Sequence, residues 1–162
     1  MVYYIYYTSN RYILKYDEQE QKLNIVYTLN DGETIGSCCC RRFISITEQH
    51  RWYACINLFD IKYNKLVFDE NDNIDYIEFL YVDNPDRTKY INIHKKNDTH
   101  RIFSLKTMTY TSEEIGENYM VGSPLCEWNV DYEIPQFYNN DLTMLQNENY
   151  NVAFYSLSQG KR

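Results

Sequence analysis

The stretch IDYIEFLYV, residues 74–82, decides the fold class. Successive side chains of a β-strand point to opposite faces of the sheet. In this stretch one face would carry Ile74 and Leu80, and the other would carry Ile77 and Phe79. Because both faces contain apolar side chains, the pattern predicts a central strand that is covered on both sides.

Similar short segments lie before and after this strand. We predict further strands over residues 2–7, 12–16, 23–28, 43–47, 52–57, 65–68, 89–93, 101–110, 127–132 and 151–157. They are rich in tyrosine and β-branched residues, and polar turn clusters such as residues 69–73 separate them. The sequence therefore predicts an all-β fold, a sandwich or barrel of meandering hairpins. One or two short helical segments are expected, within residues 111–116 and 134–149.

The length of 162 residues fits a single domain, residues 1–162. Five residues of one predicted hairpin recur 43 positions later: Ile13, Tyr16, Asp17, Lys22 and Leu23 return as Ile56, Phe59, Asp60, Lys65 and Leu66. That period suits a blade of a β-propeller. No third copy follows at the same offset, and any two hairpins with an acidic turn look alike. We therefore favour a chance similarity.

The formal net charge of −7 argues against non-specific wrapping of nucleic acid, which depends on phosphate neutralisation. Most of the negative charge lies in the final third, residues 104–160, where Lys106 is the only basic residue. We expect this acidic segment to pack on the same core as the rest of the chain. A basic surface on the first two thirds remains compatible with the total charge.

Five cysteines, three of them contiguous, do not form the spaced pairs of a secreted disulfide framework. Neither a signal peptide nor a membrane-spanning stretch is recognisable. We therefore expect a soluble protein in a reducing compartment, the cytoplasm, without a role at a membrane. Tyrosine, asparagine, isoleucine and lysine are abundant, as in proteins from AT-rich genomes, which points to a virus or a compact parasite.

The cysteine-rich segment allows three interpretations. In the first, Cys38, Cys40, His50 and Cys55 hold a structural zinc ion, although the spacing lacks a C-x₂-C pair. In the second, one cysteine is a nucleophile with His50 as its base. In the third, which we favour, Cys55 and its neighbour Cys39 are small core residues, and the protein binds no metal and no other cofactor.

Two basic clusters at predicted hairpin turns are candidate contacts to RNA. The first consists of Arg41, Arg42, His50, Arg51 and Trp52, and the second of Lys95, Lys96 and Arg101 beside His100. Guanidinium and ammonium groups bind phosphates, and an indole stacks on an unpaired base. The structural alternative buries Trp52 in the core and pairs the arginines with acidic side chains.

No phosphate-binding loop, nucleophile elbow or zinc-protease motif occurs in the sequence. His94 and His100 could face each other across a hairpin, but the residues that follow them do not match a two-histidine phosphoesterase. We therefore expect a protein that acts by binding rather than by catalysis. A small hydrolase with a site assembled from distant residues remains an alternative.

In size, in its AT-rich composition and in the segments 38–42 and 50–52, the chain resembles a microsporidian ribosome dormancy, or hibernation, factor. The resemblance implies regulation of translation, by occupation of a tRNA site on idle ribosomes. The basic turns would then lie near rRNA, and the acidic final third on basic ribosomal proteins. The alternative from another class is a viral protein that binds and antagonises a host defence factor, with a protein as its partner.

Overall fold

A computed structural model describes residues 3–17, 19–20, 22–39, 42–82, 88–112, 119–122 and 151–156. These residues form antiparallel β-sheets and two single-turn 3₁₀ helices, Gln49–Arg51 and Glu70–Asp72, which confirms the all-β prediction. The helix predicted within 134–149, the strand predicted over 127–132 and most of the helix predicted over 111–116 lie outside the described residues.

Thirteen strands occur in the described part of the chain. Their bounds are β1 Tyr3–Thr8, β2 Tyr12–Asp17, β3 Lys22–Thr28, β4 Glu33–Cys39, β5 Phe43–Glu48, β6 Ala54–Asp60, β7 Lys65–Leu66, β8 Ile74–Tyr81, β9 Tyr90–Lys95, β10 His100–Ser104, β11 Thr109–Tyr110, β12 Met120–Gly122 and β13 Asn151–Ser156. Strand β8, the stretch quoted first, lies between β9 and β6, so its prediction as a central strand is confirmed.

The strands form two sheets. One has the order β13-β1-β2-β3, and the other has the order β11-β10-β9-β8-β6-β5-β4, with β7 paired to β6 and β12 paired to β8. Strands β6 and β8 are joined through a single residue pair, Cys55 with Ile77. The larger sheet therefore consists of two four-stranded meanders, β4–β7 and β8–β11, that meet at one bridge, with β12 added beside β8.

The two hairpins that carry the 43-residue similarity have the same form. Asp17 pairs with Lys22 at the end of the β2–β3 hairpin, and Asp60 pairs with Lys65 in the same register at the end of β6–β7. A third copy follows 44 residues later, where Ser104 pairs with Thr109. Each hairpin closes a four-residue turn in the same register. The third copy was hidden because its residues differ and its offset is longer by one.

The second and third turns also share their backbone geometry. The amide of Asn64 donates to the carbonyl of Asp60 at 2.7 Å, and the amide of Met108 donates to the carbonyl of Ser104 at 2.8 Å. Asn64 and Met108 both have a φ of 58°, in the left-handed region. The polar side chain that opens the turn, Asp60 or Ser104, accepts a hydrogen bond from an amide inside it.

The core has two layers. Tyr6, Ile13 and Leu29 of the smaller sheet and its connections pack against the face of the β4–β7 meander that carries Ile44 and Phe59. A second layer contains Phe43, Leu58 and Phe68 from β4–β7 and its following loop, together with residues of the next meander. The β4–β7 meander is thus covered on both faces. Leu105, at the start of the final third, is buried in the second layer.

Three strand predictions are wrong in detail. Trp52 and Tyr53 were predicted to begin a strand, but both have left-handed φ values, 58° and 57°, and β6 begins at Ala54. The strand predicted over 101–110 is two strands, β10 and β11, separated by the turn that contains Met108. Strand β4 was not predicted, because Gly36 and the cysteines lack the usual side chains of a strand.

Candidate functional site

The cysteine-rich segment does not form a recognisable metal site in the described part of the chain. Cys38 lies on β4, whereas Cys40 and Arg41 lie outside the described residues. Cys55 is buried in the core, and burial raises the pKa of its thiol to about 12. Cys55 therefore suits the core role, and its raised pKa disfavours the thiolate that nucleophilic attack requires. The described residues include no group of three His, Cys, Asp or Glu side chains able to hold a metal ion.

Arg42 of the first basic cluster has a structural partner. Its Nε donates to Asp60 Oδ1 at 2.9 Å, and its Nη2 donates to Asp60 Oδ2 at 2.7 Å. Side-chain exposure is 17% for Arg42 and 3% for Asp60. The hydrogen bonds to Asp60 raise the pKa of Arg42 above its ordinary value. The guanidinium also lies 4.9 Å from the centre of the Phe43 ring. This fork-to-fork geometry is the strongest form of the Arg–carboxylate pair.

Arg51 is likewise paired with an acidic residue. Its Nη2 donates to the carboxylate of Asp75 at 2.6 Å, and its Nη1 donates to the Asp75 carbonyl at 2.8 Å. The carboxylate atom Oε2 of Glu48 lies 3.8 Å from Arg51 Nη1. His50, in the same 3₁₀ turn, is exposed. The positive charge of Arg51 is therefore compensated within the chain.

Trp52 and Tyr53, which we call the aromatic tip, follow this turn. The exposed fraction of Trp52 is 95% and that of Tyr53 is 60%, so the structural alternative that placed Trp52 in the core is wrong. Both residues adopt the left-handed backbone conformation. For residues other than glycine this conformation costs roughly 1–2 kcal/mol each. Two consecutive aromatic side chains are thus held in strained positions that face water.

A groove with a volume of about 640 Å³ opens beside the aromatic tip. Ile77 and Phe79 of β8 and Val121 of β12 contribute apolar surface to it, and Trp52 and Tyr53 also line it. Among the described residues that line the groove, Glu78 is the only one that carries a formal charge at neutral pH. Val121 is itself 57% exposed, so the apolar surface continues from the tip to β12.

The second basic cluster lies near the start of β8. Lys95 Nζ donates to the Asp72 carbonyl at 2.6 Å and to the Tyr110 hydroxyl at 2.7 Å. Lys96 has an exposed side chain, and its amide donates to the Asn73 carbonyl at 3.0 Å. Arg101 is exposed, and its guanidinium lies 4.3 Å from the centre of the Tyr110 ring.

His94 and His100 face each other across the β9–β10 hairpin, as expected, with ring centres 5.7 Å apart. The His94 ring stacks on Tyr76 at 4.1 Å, and its Nε2 contacts Glu78 Oε1. Asn92 lies beside this pair, and its Nδ2 is 3.3 Å from His94 Nε2. The histidine is thus fixed by stacking on one ring and by a contact to a carboxylate.

A second cavity, of about 270 Å³, lies close to three residues of the predicted basic clusters. Tyr63, Tyr110 and Asp60 line it, and we call it the tyrosine groove. Lys95 and Arg101 lie against Tyr110, and Arg42 lies 5.4 Å from the centre of the Tyr63 ring. The structure therefore places Arg42, Lys95 and Arg101 beside rings that line this cavity. Trp52 lines the larger groove, and His50 and Arg51 lie in the 3₁₀ turn that precedes Trp52.

The sequence reasoning missed Tyr63 and Tyr110, as well as Lys62 and Lys65, whose ammonium groups lie 5.3 and 6.0 Å from the Tyr63 ring centre. The run Lys62-Tyr63-Asn64-Lys65 carried a signal, because it alternates cations with an aromatic residue at a turn. The contribution of Tyr110 had no local signal, since it follows from the packing of β11 beside the β6–β7 turn.

No family model, no curated protein and no solved structure matches this chain. In the described ranges, no helix has the length and apolar character needed to cross a membrane.

Proposed function

We propose that this chain is a binding protein that docks on a larger assembly through the aromatic tip, and that the assembly is the ribosome. The observation that carries the proposal is the exposure of Trp52, 95%, in a strained backbone conformation. Strained residues persist only where the surrounding structure enforces them, and they cluster at functional sites.

The apolar lining of the groove beside the tip favours a protein surface as the part of the assembly that the tip contacts directly. Trp and Tyr are enriched among the residues that contribute most to protein–protein binding. Val121, which is 57% exposed, continues the apolar surface next to them, and the buried side chains of Ile77 and Phe79 form the floor of the groove. Arg51, the nearby cation, is already bound to Asp75, which leaves little positive charge for phosphate at this place.

The negative charge of the groove and of the whole chain favours a basic partner. Among the described lining residues, Glu78 is the only one with a formal charge, and the whole chain carries a net charge of −7. Complementary charge favours a basic partner and speeds its association. Ribosomal proteins are basic, and the resemblance noted above implies a ribosomal site, so a ribosomal protein is the partner that we propose.

Co-sedimentation tests this proposal. The full chain is added to purified ribosomes, which are then pelleted through a sucrose cushion. The double variant Trp52→Gly with Tyr53→Gly removes both rings and fits the left-handed backbone. Ile25→Ala, at an apolar side chain on β3 that is 41% exposed, is the matched control. We expect the wild type and the control to pellet with ribosomes, and the double variant to bind at least about 30-fold more weakly.

Two results would replace the proposal. If ribosomes do not pellet the wild type, but a smaller protein complex binds it in a Trp52-dependent way, the tip docks on a different protein and the host-antagonist alternative takes over. If the double variant pellets as well as the wild type, the tip is not the docking surface.

A further inference from the structure

The tyrosine groove has the size and the floor of a site for one flat ring. Its volume of about 270 Å³ is just below the roughly 300–1,000 Å³ of sites for drug-sized ligands. The buried rings of Phe68 and Phe103, with centres 5.0 Å apart, belong to its lining together with Leu66. Tyr63 is 59% exposed, so a large part of its side chain is accessible to a ligand.

Cations surround both tyrosines. Lys62 and Lys65 lie over Tyr63, and Lys95 and Arg101 lie over Tyr110, at 4.3 to 6.0 Å from the ring centres. Among the described residues, no ion pair involves Lys62, Lys65 or Arg101, and all three are exposed. Their charge is therefore available to a ligand, unlike that of Arg42.

The acidic residues of the groove are engaged with the protein. Asp60 accepts hydrogen bonds from Arg42 and from the amide of Lys62. Asp72 accepts one from the amide of Asp69, within the 3₁₀ turn that precedes β8. The groove consequently presents aromatic faces and unpaired cations, with its carboxylates partly neutralised.

We propose that the tyrosine groove binds single-stranded nucleic acid. An unpaired base stacks against the exposed ring of Tyr63, and the phosphates beside it contact Lys65 and Arg101. Aromatic side chains combined with a basic rim are the usual platform for single strands, because every base has a face that can stack. A duplex has no free base to insert into a cavity of this size. This inference rests on the groove alone and does not require the aromatic tip or the ribosome.

Fluorescence anisotropy of the full chain with labelled 12-nucleotide oligouridylate and oligothymidylate tests the inference. The first variant, Tyr63→Ala, removes the stacking ring. The second, Lys65→Glu with Arg101→Glu, reverses the rim. The matched control, Arg11→Glu with Lys89→Glu, makes the same change in net charge at exposed cations that neither line the cavity nor lie over Tyr63 or Tyr110. Circular dichroism checks that each variant is folded.

We expect saturable binding of both strands at about 50 mM salt, with weak competition by a duplex. Tyr63→Ala should weaken binding roughly 5- to 150-fold, the range for loss of one stacked base. The rim variant should weaken it at least 10-fold and should lower the salt dependence, since phosphate contacts release counterions. The control should bind within 2-fold of the wild type.

Three results would overturn the inference: no saturable binding of either strand, equal weakening by the rim variant and the control, or unchanged binding by folded Tyr63→Ala. Equal weakening would mean that only the total charge matters. Because the assay contains no ribosomes, its failure leaves the docking proposal standing, and a failed co-sedimentation leaves this inference standing.

Discussion

Arg42 belongs by its type to a phosphate-binding cluster, but its position gives it a structural task. Both of its paired nitrogen atoms point to a carboxylate that is nearly inaccessible to water. Removing one partner of a buried ion pair is costly, because the other charge stays buried without compensation. Reversing the charges of Arg41 and Arg42 together would therefore test folding rather than RNA binding.

Replacing Arg42 by Ala should lower the free energy of unfolding by roughly 3–5 kcal/mol. The matched control is Lys62→Ala, an exposed cation in the turn that follows Asp60, which should change the free energy of unfolding by less than about 0.5 kcal/mol. Urea denaturation of the full chain measures both. An Arg42→Ala variant as stable as the control would show that the pair with Asp60 contributes nothing to folding.

The three hairpin turns of the same form can be compared by removing the side chain that opens each turn. Asp17 Oδ1 accepts hydrogen bonds from the amides of Gln19 and Glu20, and Ser104 Oγ accepts one from Thr107. Asp17→Ala and Ser104→Ala should each lower the free energy of unfolding by roughly 0.5–1.5 kcal/mol, the usual contribution of such a bond.

The equivalent change in the second copy, Asp60→Ala, should cost several times more, because Asp60 also neutralises Arg42. Thermal and urea unfolding of the three variants provide the comparison. Equal losses at all three positions would contradict the special role of the second copy, and no loss at Asp17 would contradict the equivalence of the turns.

The sequence predicted the strands with clear apolar patterns, and it was wrong where the residue composition does not match the backbone conformation. Strand β8 is recognisable because both of its faces carry apolar side chains, Leu80 on one and Ile77 and Phe79 on the other. Strand β4 is not recognisable, because it contains Gly36 and glycine is rare in strands. Glycine is needed at this position, since a side chain there would collide with Ser45 and Thr47 of the adjacent strand. Trp52 and Tyr53 have the composition of a strand, yet the chain turns at them.

The candidate sites were predictable only in part, for a related reason. Trp52, Lys95 and Arg101 stand out by their residue types, and all three border a cavity or a ring that lines one. Their arrangement depends on residues far apart in sequence, such as Tyr63 and Tyr110, that line the same cavity. No local sequence pattern encodes this proximity, because it follows from the packing of one meander on the next.

For the whole molecule, the two proposals assign one groove to a protein surface and the other to single-stranded nucleic acid. The aromatic tip offers apolar surface with its nearby cation neutralised, whereas the tyrosine groove offers stacking surface with free cations. A protein component and an RNA component of one assembly match these two surfaces. The net charge of −7 is compatible with RNA contact because free cations are concentrated at one groove.

Fluorescence of Trp52 tests docking through the tip most directly. Replacing the other tryptophan, Trp128, by Phe leaves Trp52 as the only indole in the chain. Incorporating 7-azatryptophan at this position lets it be excited at a longer wavelength than the tryptophans of ribosomal proteins. Because its ring is almost fully exposed, the free protein should emit at long wavelength and be quenched strongly by acrylamide. At saturating ribosome concentration we predict a shift to shorter wavelength and a loss of quenching. Unchanged emission and quenching under those conditions would contradict docking through the aromatic tip.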